Sequence, residues 1–174
     1  MSMSSESDSE ELLVPAVLGR AHDRAEELAE IAGRAGLQVA VAESLTSGQL
    51  AAALGAASNS GEWFRGAVVA YSRAVKHHVL GVPDGPVVCA PAAAAMAEGV
   101  RTLFEASLAV GVTGAGGPDP QDGHEPGSVW FAVSADGSVR THHRLFAGEP
   151  AEILDQVVVY AVELLLDAAR EQAA

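Results

Sequence analysis

Two short stretches, LQVAVAE at residues 37–43 and ASLAVGVTG at 106–114, are apolar almost throughout and end on polar residues. Runs this short that carry no polar face read as strands covered on both sides. Helical patterns surround them. GRAHDRAEELAEIAGRAG, residues 19–36, places apolar side chains at helical spacing and closes on Gly36, a C-cap residue. SGQLAAALGAA (47–57) and RAVKHHVLG (73–81) predict two shorter helices, the second closing on Gly81. PAAAAMAEGVRTLFE (91–105) predicts a long helix with Pro91 near its first position. GEWFRGAVVAYS (61–72) predicts a short turn and a strand over about residues 66–71, and VPDGP (82–86) a turn.

After the second apolar run the pattern changes. AGGPDPQDGHEPG, residues 115–127, is a Gly/Pro-rich loop. SVWFAVSADGSVRTHHRLF, residues 128–146, reads as a hairpin turning at Asp136-Gly137. PAEILDQVVVYAVELLLDAAREQ, residues 150–172, is a long amphipathic helix with Ile153, Val157, Tyr160, Leu164 and Leu165 near one face. Strands alternating with helices, broken by one hairpin, predict an α/β fold: a three-layer α/β/α sandwich with a mixed sheet, in a single domain.

The chain of 174 residues, 49% of them apolar, is long enough for one sizeable core. Its first segment, MSMSSESDSEE, is acidic and Ser-rich. Residues 1–12 are expected to be a disordered tail and residues 13–174 the folded domain. No signal peptide and no run of about 18 apolar residues is visible, so no membrane span is expected. A single cysteine, Cys89, excludes an intramolecular disulfide and fits a cytoplasmic setting. The net charge of −13, without a basic stripe, argues against nucleic acid as a partner.

Ligands of open α/β sheets gather beyond the carboxyl ends of the strands. Three such ends carry polar clusters: Glu43-Ser44-Leu45-Thr46, Tyr71-Ser72 with Arg73 and Lys76 just after, and Thr113-Gly114-Ala115-Gly116-Gly117-Pro118. Ser44 alone has two readings, a helix cap or a nucleophile. Together the clusters supply what a serine hydrolase needs: a hydroxyl, a proton acceptor, and glycine-rich backbone whose N–H groups face a developing oxyanion. Lys76 is the single lysine among ten basic side chains. Lysine can lose its proton near neutral pH when desolvated beside another cation such as Arg73; arginine cannot.

At these residues the chain resembles the C-terminal domain of the CinA (competence/damage-inducible) family, the nicotinamide mononucleotide deamidases, from about residue 17 to residue 166. The family signature Ala-Glu-Ser-Cys-Thr-Gly-Gly is similar to residues 42–48, and Tyr-Ser/Thr-Asn-x-x-Lys to residues 71–76. Thr-Gly-Ile-Ala-Gly-Pro resembles residues 113–118, and Pro-Val-Gly-Thr-Val-Trp residues 125–130.

The resemblance implies hydrolysis of the nicotinamide mononucleotide amide to nicotinate mononucleotide and ammonia, with no metal and no cofactor. It makes Ser44 the nucleophile, with Tyr71 and Lys76 activating it and shuttling protons. Thr113 and the backbone of Gly114, Ala115, Gly116 and Gly117 would position the amide and stabilise the oxyanion. Thr46 and Gly48 would bind phosphate or the intermediate, with Glu43 and Arg73 beside them. It also implies self-association as a homodimer or higher oligomer. Leu45 replaces the signature cysteine, Ser47 its first glycine and Arg73 the asparagine. Pro150 and Leu154 stand where the family has arginines, natural partners of a phosphate. The alternative function is another small amide, or a nucleotide bound without turnover.

The remaining polar residues have plainer readings. Glu43 pairs with Arg73 or Lys76, or holds its turn. Asp122 and His124 line the site or are ordinary loop polarity. His77-His78 and His142-His143 are sequence neighbours whose rings diverge, so neither pair chelates a metal by itself.

Overall fold

The computed structural model describes residues 16–174. The expected tail at residues 1–12 lies outside the described residues. The chain runs α1 (Ala16–Ala35), β1 (Val39–Glu43), α2 (Gln49–Gly55), α3 (Ser60–Trp63), β2 (Phe64–Val69) and α4 (Arg73–Leu80). It continues through α5 (Ala90–Leu103), β3 (Leu108–Gly114), β4 (Ser128–Ala135), β5 (Ser138–Leu145) and α6 (Pro150–Ala173). The five strands form one sheet in the order β2-β1-β3-β4-β5. β1 is parallel to both β2 and β3, whereas β4 and β5 are antiparallel. The expected three layers and mixed sheet are therefore present.

Strand parity explains the layers. Val39 and Val41 of β1, with Val110 and Val112 of β3, join α1, α2 and α6 in one core. Ala40, Ala42 and Ala109 point the other way and join Leu80 of α4 and Met96 of α5. A two-residue repeat of side-chain direction requires this split. Both central strands are buried at every position, as their unbroken apolar sequences predict.

Small residues bring α5 close to the sheet. A Cβ on Gly111 of β3 would lie 2.6 Å from the Ala93 carbonyl oxygen and 2.7 Å from the Ala97 nitrogen. The alanines of α5 and this glycine thus let helix backbone lie directly on strand backbone.

Boundaries differ modestly from expectation. Residues 60–63 form a short helix where a turn is predicted, and Trp63 fills the core beneath it. β2 consequently starts at Phe64 and ends at Val69, leaving Tyr71 beyond the strand. The hairpin turn is as expected, with Asp136 and Gly137 at φ 50° and 74°. Among the described residues, no helix is long and apolar enough to cross a membrane.

Candidate active site

The sheet order creates a crevice. From β1 the chain crosses to β2 on one side, while β3 lies on the other. The strand order therefore reverses between β1 and β3, and ligands bind outside the carboxyl ends at such a point. Ser44 is the first residue past β1. In parallel register Ala42 lies beside Gly111, which brings Ser44 level with Thr113 at the end of β3. On the other side Glu43 lies beside Val69, and its carbonyl accepts the Ala70 N–H at 2.8 Å. Tyr71 follows at once.

A cleft of about 480 Å³ opens here. It is lined by Ser44, Leu45, Ser47, Tyr71, Gly114 and Gly116, by Gly117 and the Pro118–Gln121 segment, and by Pro150 and Leu154 of α6. Gly116 stands where a Cβ would be 3.5 Å from Leu45 and 3.8 Å from Leu154. Tyr71 is 72% exposed and Ser44 is 7% exposed, so the tyrosine reaches into solvent while the serine is nearly buried.

Glu43 takes the last of its three sequence readings and holds the turn. It is fully buried and shares the strand face of Val39 and Val41. One carboxylate oxygen accepts the Thr46 hydroxyl at 2.6 Å, the Gly48 N–H at 2.9 Å and the Leu50 N–H at 3.2 Å. The other accepts the Ala51 N–H at 2.8 Å. The carboxylate thus satisfies the free N–H groups at the start of α2, where the helix dipole favours negative charge. Thr46 is fully buried and gives its hydroxyl to Glu43, and the Gly48 N–H is spent there too. Glu43, Thr46 and Gly48, expected as substrate contacts, thus bond to one another within the turn and are not among the residues that line the cleft.

Thr113 is buried and donates its hydroxyl to the Val87 carbonyl at 2.6 Å, tying β3 to the segment before α5. Of the glycine-rich backbone, the Ala115 N–H donates to the Ser128 carbonyl at 3.0 Å and is not available to a ligand. The Gly116 and Gly117 N–H groups make no backbone hydrogen bond among the described residues. Both glycines line the cleft, whereas Ala115 does not.

Lys76 lies on α4, which Ser72 caps by accepting the Val75 N–H at 3.3 Å. Its side chain is 1% exposed. Burial pushes its ammonium below the ordinary value, and the Arg73 guanidinium pushes the same way. Asp122 opposes them. Arg73 pairs with Asp122, not Glu43, and also donates to the Gly85 carbonyl at 3.2 Å. The second Asp122 oxygen accepts the Val87 and Val88 N–H groups at 2.8 and 3.1 Å. Asp122 is therefore more than loop polarity: it joins the loop after β3 to α4 and to the segment before α5. Sequence reasoning also missed Asp119 and Gln121 as cleft residues. Their only signal is membership of the Gly/Pro loop that follows a strand end.

The histidine pairs split as expected of neighbours. His143 bonds Ser128 at 2.9 Å and stacks on Trp130, and His77 bonds the Val82 carbonyl at 2.8 Å.

The comparisons with known proteins agree with this architecture. A CinA-like protein of Gemmatimonas aurantiaca is 40% identical over 135 residues, covering 74% of this chain and 32% of that protein. The nicotinamide-nucleotide amidohydrolase PncC of Enterobacter agglomerans is 33% identical over 154 residues, covering 84% of this chain and 94% of that protein. The chain spans about a third of the length of most of the curated relatives it matches. Among solved structures, a CinA superfamily protein from Klebsiella pneumoniae superimposes with a TM-score of 0.83 at 29% identity, covering 87% of this chain and 98% of that one. The family described as the CinA C-terminal domain matches residues 21–169. On its sequence, its sheet order and the glycine-rich crevice at its strand ends, the chain belongs to the CinA C-terminal domain family.

Proposed function

We propose that this chain is an amidohydrolase acting on the carboxamide of nicotinamide mononucleotide or a closely related pyridine amide, with Ser44 as nucleophile. The observation that carries the reading is the placement of Ser44. Ser44, little exposed, lines the cleft together with Gly116, Gly117 and the exposed Tyr71, and the desolvated Lys76 lies on α4, the helix that follows Tyr71. The relative named for nicotinamide-nucleotide hydrolysis, matched over 94% of its length, supports the same chemistry.

In this reaction the Ser44 oxygen attacks the carboxamide carbon and gives its proton, relayed by Tyr71, to the unprotonated form of Lys76. The Gly116 and Gly117 N–H groups take the charge on the carbonyl oxygen. The carbon–nitrogen bond breaks, and the departing nitrogen takes a proton and leaves as ammonia. Water then attacks the acyl ester on Ser44. The sum is amide plus water giving carboxylate plus ammonium. Lys76 suits the proton-acceptor role because burial lowers its proton affinity. The Tyr71 hydroxyl is largely hydrated and acts as a relay.

The second reading, another amide or binding without turnover, is favoured by the apolar wall of Pro150 and Leu154. Ammonia release by pure protein separates the two. Ser44→Ala is expected to lose at least about 100-fold in rate while keeping its melting temperature. Equal ammonia release from the variant and the wild type would exclude Ser44 as nucleophile.

A further inference from the structure

The charges around the cleft are arranged against a phosphate. Among its described lining residues there is no lysine, arginine or histidine, and the one charged side chain is Asp119. The two basic side chains of α4 before its last turn, Arg73 and Lys76, do not line the cleft either. Arg73 pairs with Asp122 and bonds the Gly85 carbonyl. Lys76 is 1% exposed and does not line the cleft.

The helix ends that border the cleft are also closed to an anion. The Glu43 carboxylate already holds the Gly48, Leu50 and Ala51 N–H groups of α2. At α6, Pro150 has no N–H, Glu149 is the N-cap, and the Glu152 carboxylate accepts the Glu149 N–H at 2.8 Å. The face that α6 presents to the cleft is Pro150 and Leu154. A phosphate bound here would leave water for a site holding carboxylates at Asp119 and close by at Glu149, with no cation to replace its hydration.

A pyridinium ring has the opposite requirement. Its positive charge is favoured by Asp119 and by the carboxylates at α6, and its ring faces fit apolar walls such as Leu45, Pro150 and Leu154. Ser47 and Gln121 offer uncharged hydrogen-bonding groups of the kind that ribose hydroxyls take. Resting on the amidohydrolase reading above, we infer that the substrate of this cleft is a cationic nicotinamide-bearing pyridinium nucleoside without phosphate, and that its phosphorylated form is disfavoured.

The test compares nicotinamide riboside with nicotinamide mononucleotide on the purified full chain. Ammonia release gives kcat/KM for each, and calorimetric titration of the Ser44→Ala protein gives Kd for each. The riboside is expected to lead by at least about tenfold in both, the factor set by one missing charge-assisted hydrogen bond. A mononucleotide that equals or exceeds the riboside overturns the inference. If neither releases ammonia, the hydrolytic reading fails; the Kd ratio still decides this inference, a tighter riboside supporting it and a tighter mononucleotide, or binding of neither, overturning it. A Leu154→Arg variant with an unchanged melting temperature should move the ratio about tenfold toward the mononucleotide. An unmoved ratio in that folded variant would count against the charge argument.

Discussion

Lys76 is where a single residue's environment carries the most chemistry. Its ammonium is desolvated on an otherwise acidic protein and crowded by Arg73, so it gives up its proton more readily than a surface lysine. Replacing it by arginine keeps charge and length but fixes the proton. Lys76→Arg is therefore expected to fold and to lose about 100- to 10,000-fold in ammonia release; a folded variant keeping more than about a tenth of the rate would remove the base role. The same environment affects stability. The folded value lies below the ordinary 10.5, so the folded chain binds fewer protons between the two values and stability rises with pH across that window. This gain is complete above the unfolded value and is lost as pH falls through the folded one. Lys76→Met lacks the linkage and should be more stable than wild type at low pH by a margin that shrinks as pH rises. Urea denaturation at several pH values reads that margin, and a constant margin would show that the lysine is not desolvated.

At the scale of elements, the loop from Gly114 to Ser128 is held by one side chain. Asp122 is 11% exposed and reaches α4 through Arg73 and the start of α5 through the Val87 and Val88 N–H groups. Burial by itself would push its carboxyl up; those N–H groups and the guanidinium outweigh it and hold the carboxyl below its ordinary value. Its contribution is thus present above the unfolded carboxyl value and lost as pH falls through the lowered one. Asp122→Ala strands two N–H groups and should cost about 2–3 kcal/mol at neutral pH by urea denaturation, with faster amide exchange at Val87 and Val88. A loss below about 0.5 kcal/mol would mean the loop is held otherwise. This staple shows where sequence reading stops. Strands β1 and β3 were legible because both faces are apolar, the hairpin because Asp136-Gly137 suits its turn, and α4 because Gly81 closes it. Glu43 and Thr46 were visible as polar residues at a strand end, and Asp122 as a residue of the Gly/Pro loop. Whether each faces a ligand or the backbone depends on contacts up to tens of residues away along the chain, which no local pattern carries.

Across the whole molecule, the sheet separates two cores, and Lys76 lies on one side of it. Phe131 belongs to the α1/α6 side, where its ring meets Tyr160 at 4.9 Å and Phe146 at 6.2 Å between centroids. Leu80 belongs to the α4/α5 side, one helical turn beyond Lys76 on the same helix. Truncating either opens a cavity, at about 3–5 kcal/mol for Phe131→Ala and about 2–5 kcal/mol for Leu80→Ala. Both losses are large against the stability of a domain of this size, so the two variants should melt earlier by comparable amounts. Their effects on turnover should differ. Space beside Lys76 admits water, weakens the desolvation that lowers its proton affinity, and moves the rising limb of the pH–rate profile toward higher pH. A cavity at Phe131 lies across the sheet from Lys76 and should leave that limb in place. The measurement is ammonia release against pH for both variants at a temperature where each is folded. A limb that moves equally in both, or in neither, would show that the packing of the α4/α5 layer does not set the Lys76 proton affinity, and that local charges such as Arg73 set it instead.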